Sequence, residues 1–159
     1  MIFVECKPDT LLVKYLASSP ERRIIHSNGK SGVCKALTNN NNCIGVVDED
    51  PWSNQPKYLK NLRENNDHQE YGINLLLDAD RDNKVIVIRP RLEEWIIQAA
   101  EKANVNLDGY KLPSDGEGLH DIINKNLEKF ERLLEELKST EDLMILSALL
   151  RNEPVSAPP

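Results

Sequence analysis

The chain has few cysteines, few aromatic residues and no long apolar run. Its three cysteines are odd in number and lack CxxC spacing, so neither a disulfide framework nor a zinc site is expected. No stretch approaches ~18 uninterrupted apolar residues, so no transmembrane helix is predicted. The apolar start, residues 1–5, is too short for a signal-peptide core and no basic segment precedes it. These absences predict a cytoplasmic protein with reduced thiols.

Basic residues are also in short supply. The formal net charge is −6, which argues against binding of duplex nucleic acid through bulk electrostatics. It leaves open a metal-bridged phosphate substrate, because a bound cation reverses the local sign of an acidic site. The length predicts one domain over residues 1–152, with core motifs in 1–97, C-terminal helices in 98–152 and a disordered tail over 153–159.

Three short apolar runs in the first fifty residues predict strands, at residues 1–5, 23–26 and 43–47. Two amphipathic helices separate them, the first opening at Pro8 and ending at Ser18–Pro20. Strands that are apolar on both faces and joined by helices favour a parallel sheet covered on both sides. Ligands bind beyond the carboxyl ends of such strands. Glu5, Asn28–Gly29, Asp48 and Asp50 all follow strand ends, so we expect them to converge.

Over the whole chain, the order of strand and helix patterns predicts an α/β fold, with a mostly parallel sheet flanked by helices and a helical C-terminal extension. Residues 51–71 indicate a long polar loop with a helical turn near Tyr58. Residues 73–77 and 84–88 are expected to form a hairpin or a strand pair at the sheet edge, joined by a solvated turn at 78–83 rather than by an EF-hand loop. The segments after it predict a helix over 90–103, a long helix over 117–137 and a final helix capped by Ser139 or Thr140.

The Asn28–Ser31 turn, the tryptophans and the histidines are better explained by ordinary structural roles than by a binding site. Asn28–Ser31 lacks the first glycine of a phosphate-binding loop, because Ile24 stands in that place. The amides at Gly29 could still hold one phosphate. Trp52 and Trp95 are predicted to be packing residues. The three histidines have no metal-ligand spacing, and two of them, His68 and His120, are expected to be structural.

Glu5, Asp48 and Asp50 carry the strongest chemical signal. Carboxylates at the mouth of a buried strand are costly unless something binds them, and a hard divalent cation is a common partner. An aspartate after a strand also caps turns, and Asp50–Pro51 is a favourable turn pair. The residues alone leave both interpretations open.

Taken together, these segments resemble the TOPRIM family, the metal-binding domain of topoisomerases, primases and several nucleases. The family pattern is a strand ending in Glu, a strand leading to a Gly turn, and a strand ending in Asp-x-Asp. Here these elements are residues 2–5, 24–31 and 44–50. Residues 87–96 are similar to a later segment of OLD-type nucleases, which makes Glu93 a fourth candidate carboxylate. The chain departs from the pattern at Cys6, where Gly is usual, and at Pro51–Trp52.

The resemblance implies a Rossmann-like TOPRIM fold and phosphodiester chemistry on DNA or RNA with Mg²⁺ or Mn²⁺. The catalytic residues would be Glu5, Asp48 and Asp50, with Glu93 as a further metal ligand. Position alone makes Lys30, Arg89 and Arg91 candidates for phosphate contacts.

Three functions follow as hypotheses. The first is a small metal-dependent TOPRIM nuclease that acts on nucleic acid together with an ATPase partner encoded elsewhere. The second is a non-catalytic metal-binding module that works through partners, for which the apolar stripes of the C-terminal helices would serve as an interface. The third is an α/β nucleotide-binding protein, whose ATP binding would survive loss of Asp48. Separately, the helical C-terminal third is compatible with a homodimer.

Overall fold

The computed structural model describes residues 1–17 and 23–155, and in this part of the chain the strands form one mixed sheet of six. The strands are β1 (Ile2–Val4), β2 (Ile24–His26), β3 (Ile44–Asp48), β4 (Arg63–Asn65), β5 (Ile73–Asp78) and β6 (Asn83–Ile88). Their order across the sheet is β2-β1-β3-β6-β5-β4.

The predicted parallel sheet is confirmed. Strands β2, β1, β3 and β6 run parallel, whereas β5 and β4 are antiparallel additions. The hairpin prediction is also right, because β5 and β6 pair from Asp78 and Asn83 at the turn. That hairpin does not form the sheet edge, since β6 pairs with β3. The edge strand on that side is β4, which lies inside the segment predicted to be a loop, and β2 forms the opposite edge.

The helices largely follow the predicted segments. They are α1 (Lys7–Ala17), α2 (Lys30–Thr38), α3 (Lys57–Lys60), α4 (Leu92–Lys102), α5 (Gly116–Lys125), α6 (Leu127–Leu137) and α7 (Glu141–Leu150). The single long helix predicted over 117–137 is wrong. Asn126, with φ −140° and ψ 83°, ends α5 and begins α6 by accepting the Lys129 N–H at 3.2 Å.

Two apolar clusters cover the two faces of the sheet. The larger packs α1 and α4 to α7 against side chains such as Val4, Val46 and Ile86. The smaller packs α2 and α3 against side chains such as Val47 and Val87. The apolar stripes of α5 and α6, which were expected to serve an interface, are buried in the larger cluster, so the chain itself covers them.

Helix α2 lies unusually close to the sheet and to the turn before it. A Cβ on Gly45 of β3 would stand 2.7 Å from Leu37 Cδ1. A Cβ on Gly32 would stand 1.6 Å from the carbonyl oxygen of Ser27, a separation that real atoms do not reach. Only glycine permits this approach, which places the start of α2 against the turn that follows β2.

The predicted end of α1 at Ser18–Pro20 and residues 156–159 of the predicted tail lie outside the described residues. Val155, also assigned to that tail, packs against the larger cluster. Cys6, Cys34 and Cys43 are all free cysteines. None of the helices in residues 1–17 and 23–155 is long and apolar enough to cross a membrane.

Candidate metal centre

The acids that follow β1 and β3 meet at the carboxyl edge of the sheet. These two strands are parallel neighbours, so their ends lie side by side. The backbone N–H of Asp48 donates to Glu5 Oε1 at 2.8 Å. The structure thus brings together two of the predicted site residues by direct contact.

Helix α4 supplies the third predicted carboxylate. Its first residue, Leu92, donates its backbone N–H to Asp48 Oδ1 at 3.0 Å. The next residue, Glu93, is buried, and its Oε1 lies 2.7 Å from His120 Nδ1. The start of a helix carries unsatisfied N–H groups and a partial positive charge, so it suits a neighbouring carboxylate.

Asp9 on α1 belongs to the same group, although its sequence signal points only to a helix start. Its Oδ2 accepts the backbone N–H of Cys6 at 3.1 Å and lies 3.0 Å from the Cys6 thiol. This is the reciprocal contact of a helix-capping acid. Asp9 is also buried, and its charge acts on both Glu5 and Asp48. We call Glu5, Asp9, Asp48 and Glu93 the carboxylate cluster.

Burial and mutual repulsion set the protonation of the cluster. Loss of solvent, then the charges of Asp9, Glu5 and Glu93, raise the pKa of Asp48 to about 9. Burial likewise raises the pKa of Glu5 to about 7 and that of Asp9 to about 6. The cluster therefore holds protons at neutral pH that ordinary carboxyl groups release.

Asp50 lies near the carboxylate cluster but forms no hydrogen bond with any of its four members. Its backbone is in the left-handed region at φ 38°, and its N–H donates to the Pro90 carbonyl at 2.8 Å. It lines a cavity of about 270 Å³ together with Trp52, Arg91 and Glu94. The charge of Asp50 still raises the pKa of Glu5, as the smallest of its causes.

The two tryptophans have opposite environments. Trp95 is buried and donates its indole N–H to the Tyr71 carbonyl at 2.8 Å, which confirms its predicted packing role. Trp52 is 95% exposed, so the prediction that it packs is wrong. The turn that follows β3 carries this indole outward, two residues beyond Asp50.

The groups predicted to contact phosphate already have partners within the protein. Gly29 donates its N–H to the Glu5 carbonyl at 3.0 Å. The Lys30 ammonium lies 2.7 Å from the Glu49 carbonyl and 3.2 Å from Gln55 Oε1. The two arginines form ion pairs with carboxylates, Arg89 with Glu49 and Arg91 with Glu94. Lys30 thus holds the loop after β3, and a phosphate would have to compete for each arginine.

No family model matches the chain, and neither the curated proteins nor the solved structures compared with it include a match.

His120 touches the candidate site, a contact that its sequence position did not reveal. It was expected to be structural, and its ring, on α5, lies against Glu93 of α4. Asn124, one turn later, donates to the His120 carbonyl at 2.7 Å. The contact depends on how α5 crosses α4, which no local pattern encodes.

The donor chemistry of the cluster fits a hard divalent cation. All four members offer oxygen, the ligand type that Mg²⁺ prefers. Glu5 uses Oε1 and Asp48 uses Oδ1 for backbone N–H groups, which leaves one oxygen of each for another ligand. Across residues 1–17 and 23–155, however, no three His, Cys, Asp or Glu side chains stand in a metal-holding arrangement. Binding would therefore require rotation of these side chains.

Proposed function

We propose that the protein is a small TOPRIM-type nuclease that cleaves phosphodiester bonds of nucleic acid with Mg²⁺ or Mn²⁺. The observation that carries this proposal is the convergence of Glu5, Asp48 and Glu93 at the carboxyl edge of parallel strands. These buried carboxyl groups repel one another when ionised and so retain protons, and a divalent ion would displace the protons and offset the repulsion.

The proposed ligands are Asp48, Glu5 and Glu93, with Asp50 at the rim. When bound, the ion would supply charge stabilisation at the phosphate and a more acidic water. Glu5 has the pKa best suited to moving a proton at neutral pH, since general acid–base catalysis is most effective near the working pH. His120 orients Glu93. Carboxylates that bind a metal are usually held in place by a hydrogen bond from a neighbouring side chain of this kind.

Nucleic acid as the substrate is supported by Trp52. Trp52 is 95% exposed and lines a cavity together with Asp50, so a ligand at the carboxylate edge would be within reach of its indole. Unpaired bases stack on such side chains with little sequence preference. The net charge of −6 favours contact through the metal and this indole over a broad basic surface. An ATPase partner protein remains part of the proposal through the family resemblance alone.

A non-catalytic metal-binding module is the second candidate. The observation that favours it is that Glu5, Asp48 and Glu93 each form a hydrogen bond with another protein group, so these acids also help to hold the fold together. A scaffold that works through other proteins would need no more than this. The two candidates differ in whether metal binding is accompanied by cleavage.

The test compares wild-type protein with Asp48→Asn. Asparagine keeps an oxygen that can accept the Leu92 N–H while removing the charge. Asp121→Asn, an exposed position on α5, is the matched control. Thermal unfolding is followed with and without Mn²⁺ or Mg²⁺, and cleavage of single- and double-stranded DNA and RNA is assayed in parallel.

We expect metal to raise the melting temperature of wild type and the control, and both to cleave. Asp48→Asn should lose the metal effect and reduce cleavage by at least about a hundredfold, as removal of a metal ligand or its support does. Metal stabilisation without cleavage would select the non-catalytic module. An absence of metal stabilisation in wild type would overturn both.

A further inference from the structure

A cavity lies near the carboxylate cluster, between the turn after β3 and the starts of α4 and α5. Its volume is about 270 Å³, and its lining includes Asp50, Trp52 and Arg91. Complete small-molecule sites occupy ~300–1,000 Å³, so this cavity suits a single base better than a whole ligand. Arg91 directly precedes Leu92, whose N–H donates to Asp48. A ligand in the cavity would therefore lie close to a cation held at Asp48.

Glu94 holds the Arg91 side chain in one orientation. The Arg91 Nε donates to both carboxylate oxygens of Glu94 at 3.1 Å, and the Nη2 group donates to Oε1. Gly116, the first residue of α5, packs against this ion pair. A Cβ at Gly116 would stand 2.7 Å from Glu94 Cδ and 3.1 Å from Arg91 Nη2, so a larger residue there would displace the pair. The guanidinium is thus positioned before any ligand binds, which lowers the cost of binding.

Arg91 keeps hydrogen-bond donors for a ligand. A guanidinium carries five N–H donors, and the contacts with Glu94 use one on Nε and one on Nη2. Within residues 1–17 and 23–155, the Arg91 side chain donates to no other group. It is 35% exposed and lines the cavity, so a ligand can reach it. The ligand that fits Arg91 is one with neighbouring hydrogen-bond acceptors.

The charges around the cavity disfavour a phosphate as its occupant. Among the described residues that line it, three are carboxylates (Asp50, Glu94 and Glu117) and Arg91 alone is a cation. A phosphate would meet like charges there, and such contacts are strongly unfavourable. An uncharged base avoids this repulsion. The exposed indole of Trp52, at the same cavity, offers a face on which a base stacks.

We propose that this cavity binds a guanine of single-stranded nucleic acid, with Arg91 donating to O6 and N7 and Trp52 stacking on the ring. The inference rests on the proposed function and deepens it by naming a base close to the cleaved phosphate. Guanine is the base that presents two neighbouring acceptors to a guanidinium fork. Adenine offers N7 beside an amino donor, which would face the donors of Arg91.

The experiment measures binding of short single-stranded oligothymidylates to the full chain by fluorescence polarisation. One central base is guanine, hypoxanthine, 7-deazaguanine or adenine. Titrations are run in EDTA and then in Ca²⁺, which takes the same oxygen ligands as Mg²⁺. Guanine and hypoxanthine share O6 and N7, whereas 7-deazaguanine lacks N7 and adenine lacks O6. The first two should bind at least about fivefold more tightly than the last two, the lower end of the discrimination that a bidentate base contact provides.

Two variants separate the fork from the positive charge. Arg91→Lys keeps the charge but loses the planar fork, so the ratio of the two affinities should fall to about one. Arg132→Lys is the matched control, because Arg132 is also paired with a glutamate on its own helix, Glu128. The control should keep the wild-type ratio.

Equal binding of all four oligonucleotides by wild type, or binding of none in either buffer, would overturn the inference. A ratio that survives in Arg91→Lys would do the same. An equal loss of affinity for all four in Arg91→Lys would place Arg91 on the phosphate backbone and remove the base subsite. If Arg91→Lys fails to fold, the comparison of the four bases in wild type still decides. Metal-dependent cleavage without a base preference would leave the proposed function standing and remove the subsite. A guanine preference without cleavage would keep the subsite and overturn the nuclease.

Discussion

The backbone N–H of Asp48 donates to Glu5 Oε1 over 2.8 Å, which ties the acid after β1 to the end of β3. The hydrogen bond stabilises the charged form of Glu5, yet burial outweighs it and the pKa of Glu5 still rises to about 7. The larger rise at Asp48, to about 9, has the same origin. Desolvation therefore dominates the electrostatics of this edge.

The metal-free protein should lose stability as the pH rises. Glu5 and Asp48 have folded-state pKa values above their unfolded values of 4.5 and 3.8. The native state thus binds more protons than the unfolded state between about pH 4 and pH 9. The stabilisation is fully present below that window and disappears through it, with a slope of at most about 1.4 kcal/mol per pH unit for each group. Urea unfolding at a series of pH values in EDTA measures it.

Asp48→Asn provides the control for this pH dependence. The side chain at position 48 is then neutral at every pH. We therefore expect the free energy of unfolding to vary less with pH than in wild type, and to be higher than that of wild type at pH 8. A more stable variant at a proposed functional residue is the usual sign of an unfavourable arrangement kept for function. A wild-type profile that rises between pH 5 and pH 8, or that is identical in the variant, would contradict the assigned pKa shifts.

Gly32→Ala should be strongly destabilising. The new methyl would require the Ser27 carbonyl or the start of α2 to move, because the two atoms would be 1.6 Å apart. Overpacking of this kind costs about 1–3 kcal/mol or more. Gly109→Ala is the control, since nothing lies within 4 Å of its added methyl. Denaturant unfolding of both variants tests the prediction, and equal free energies of unfolding would show that α2 tolerates displacement.

The sequence was sufficient for five of the six strands, all but β4, and for the meeting of Glu5 with Asp48. Parallel strands are recognised from runs that are apolar on both faces, and their carboxyl ends necessarily share an edge. The break at Asn126 was hidden, because the apolar spacing of α5 continues into α6 across it. Hydrophobic periodicity reports the buried face and does not report where the backbone turns.

The rest of the candidate site depended on tertiary packing. Asp9 has a complete local explanation as a capping acid, so its place among the carboxylates was invisible. The contact of His120 with Glu93 arises where α5 lies against α4. Trp52 was expected to pack because tryptophan usually does, and only the outward turn after β3 shows otherwise.

Lys30→Met should loosen the loop that follows β3. Methionine keeps much of the apolar stem but loses the ammonium contacts with the Glu49 carbonyl and Gln55. Hydrogen bonds to a charged group contribute about 1.5–3 kcal/mol, so amide exchange in residues 49–55 should accelerate by about tenfold or more. Exchange measured by mass spectrometry tests this. Lys35→Met, exposed on the same helix, should leave the loop unchanged, and equal exchange in both variants would contradict the role of Lys30.

Trp52→Ala should weaken binding of single-stranded nucleic acid without affecting the fold. The side chain is 95% exposed, so its removal should change the free energy of unfolding by no more than about 0.5 kcal/mol. Loss of one stacked base costs about 1–3 kcal/mol, which corresponds to a rise in Kd of roughly five- to 150-fold. Fluorescence polarisation of labelled oligonucleotides measures Kd, and quenching of the Trp52 emission in wild type reports stacking directly. Met144→Ala, another exposed apolar side chain on α7, should bind as wild type does. If Trp52→Ala binds the oligonucleotides as tightly as wild type does, the indole does not stack on nucleic acid and has another partner.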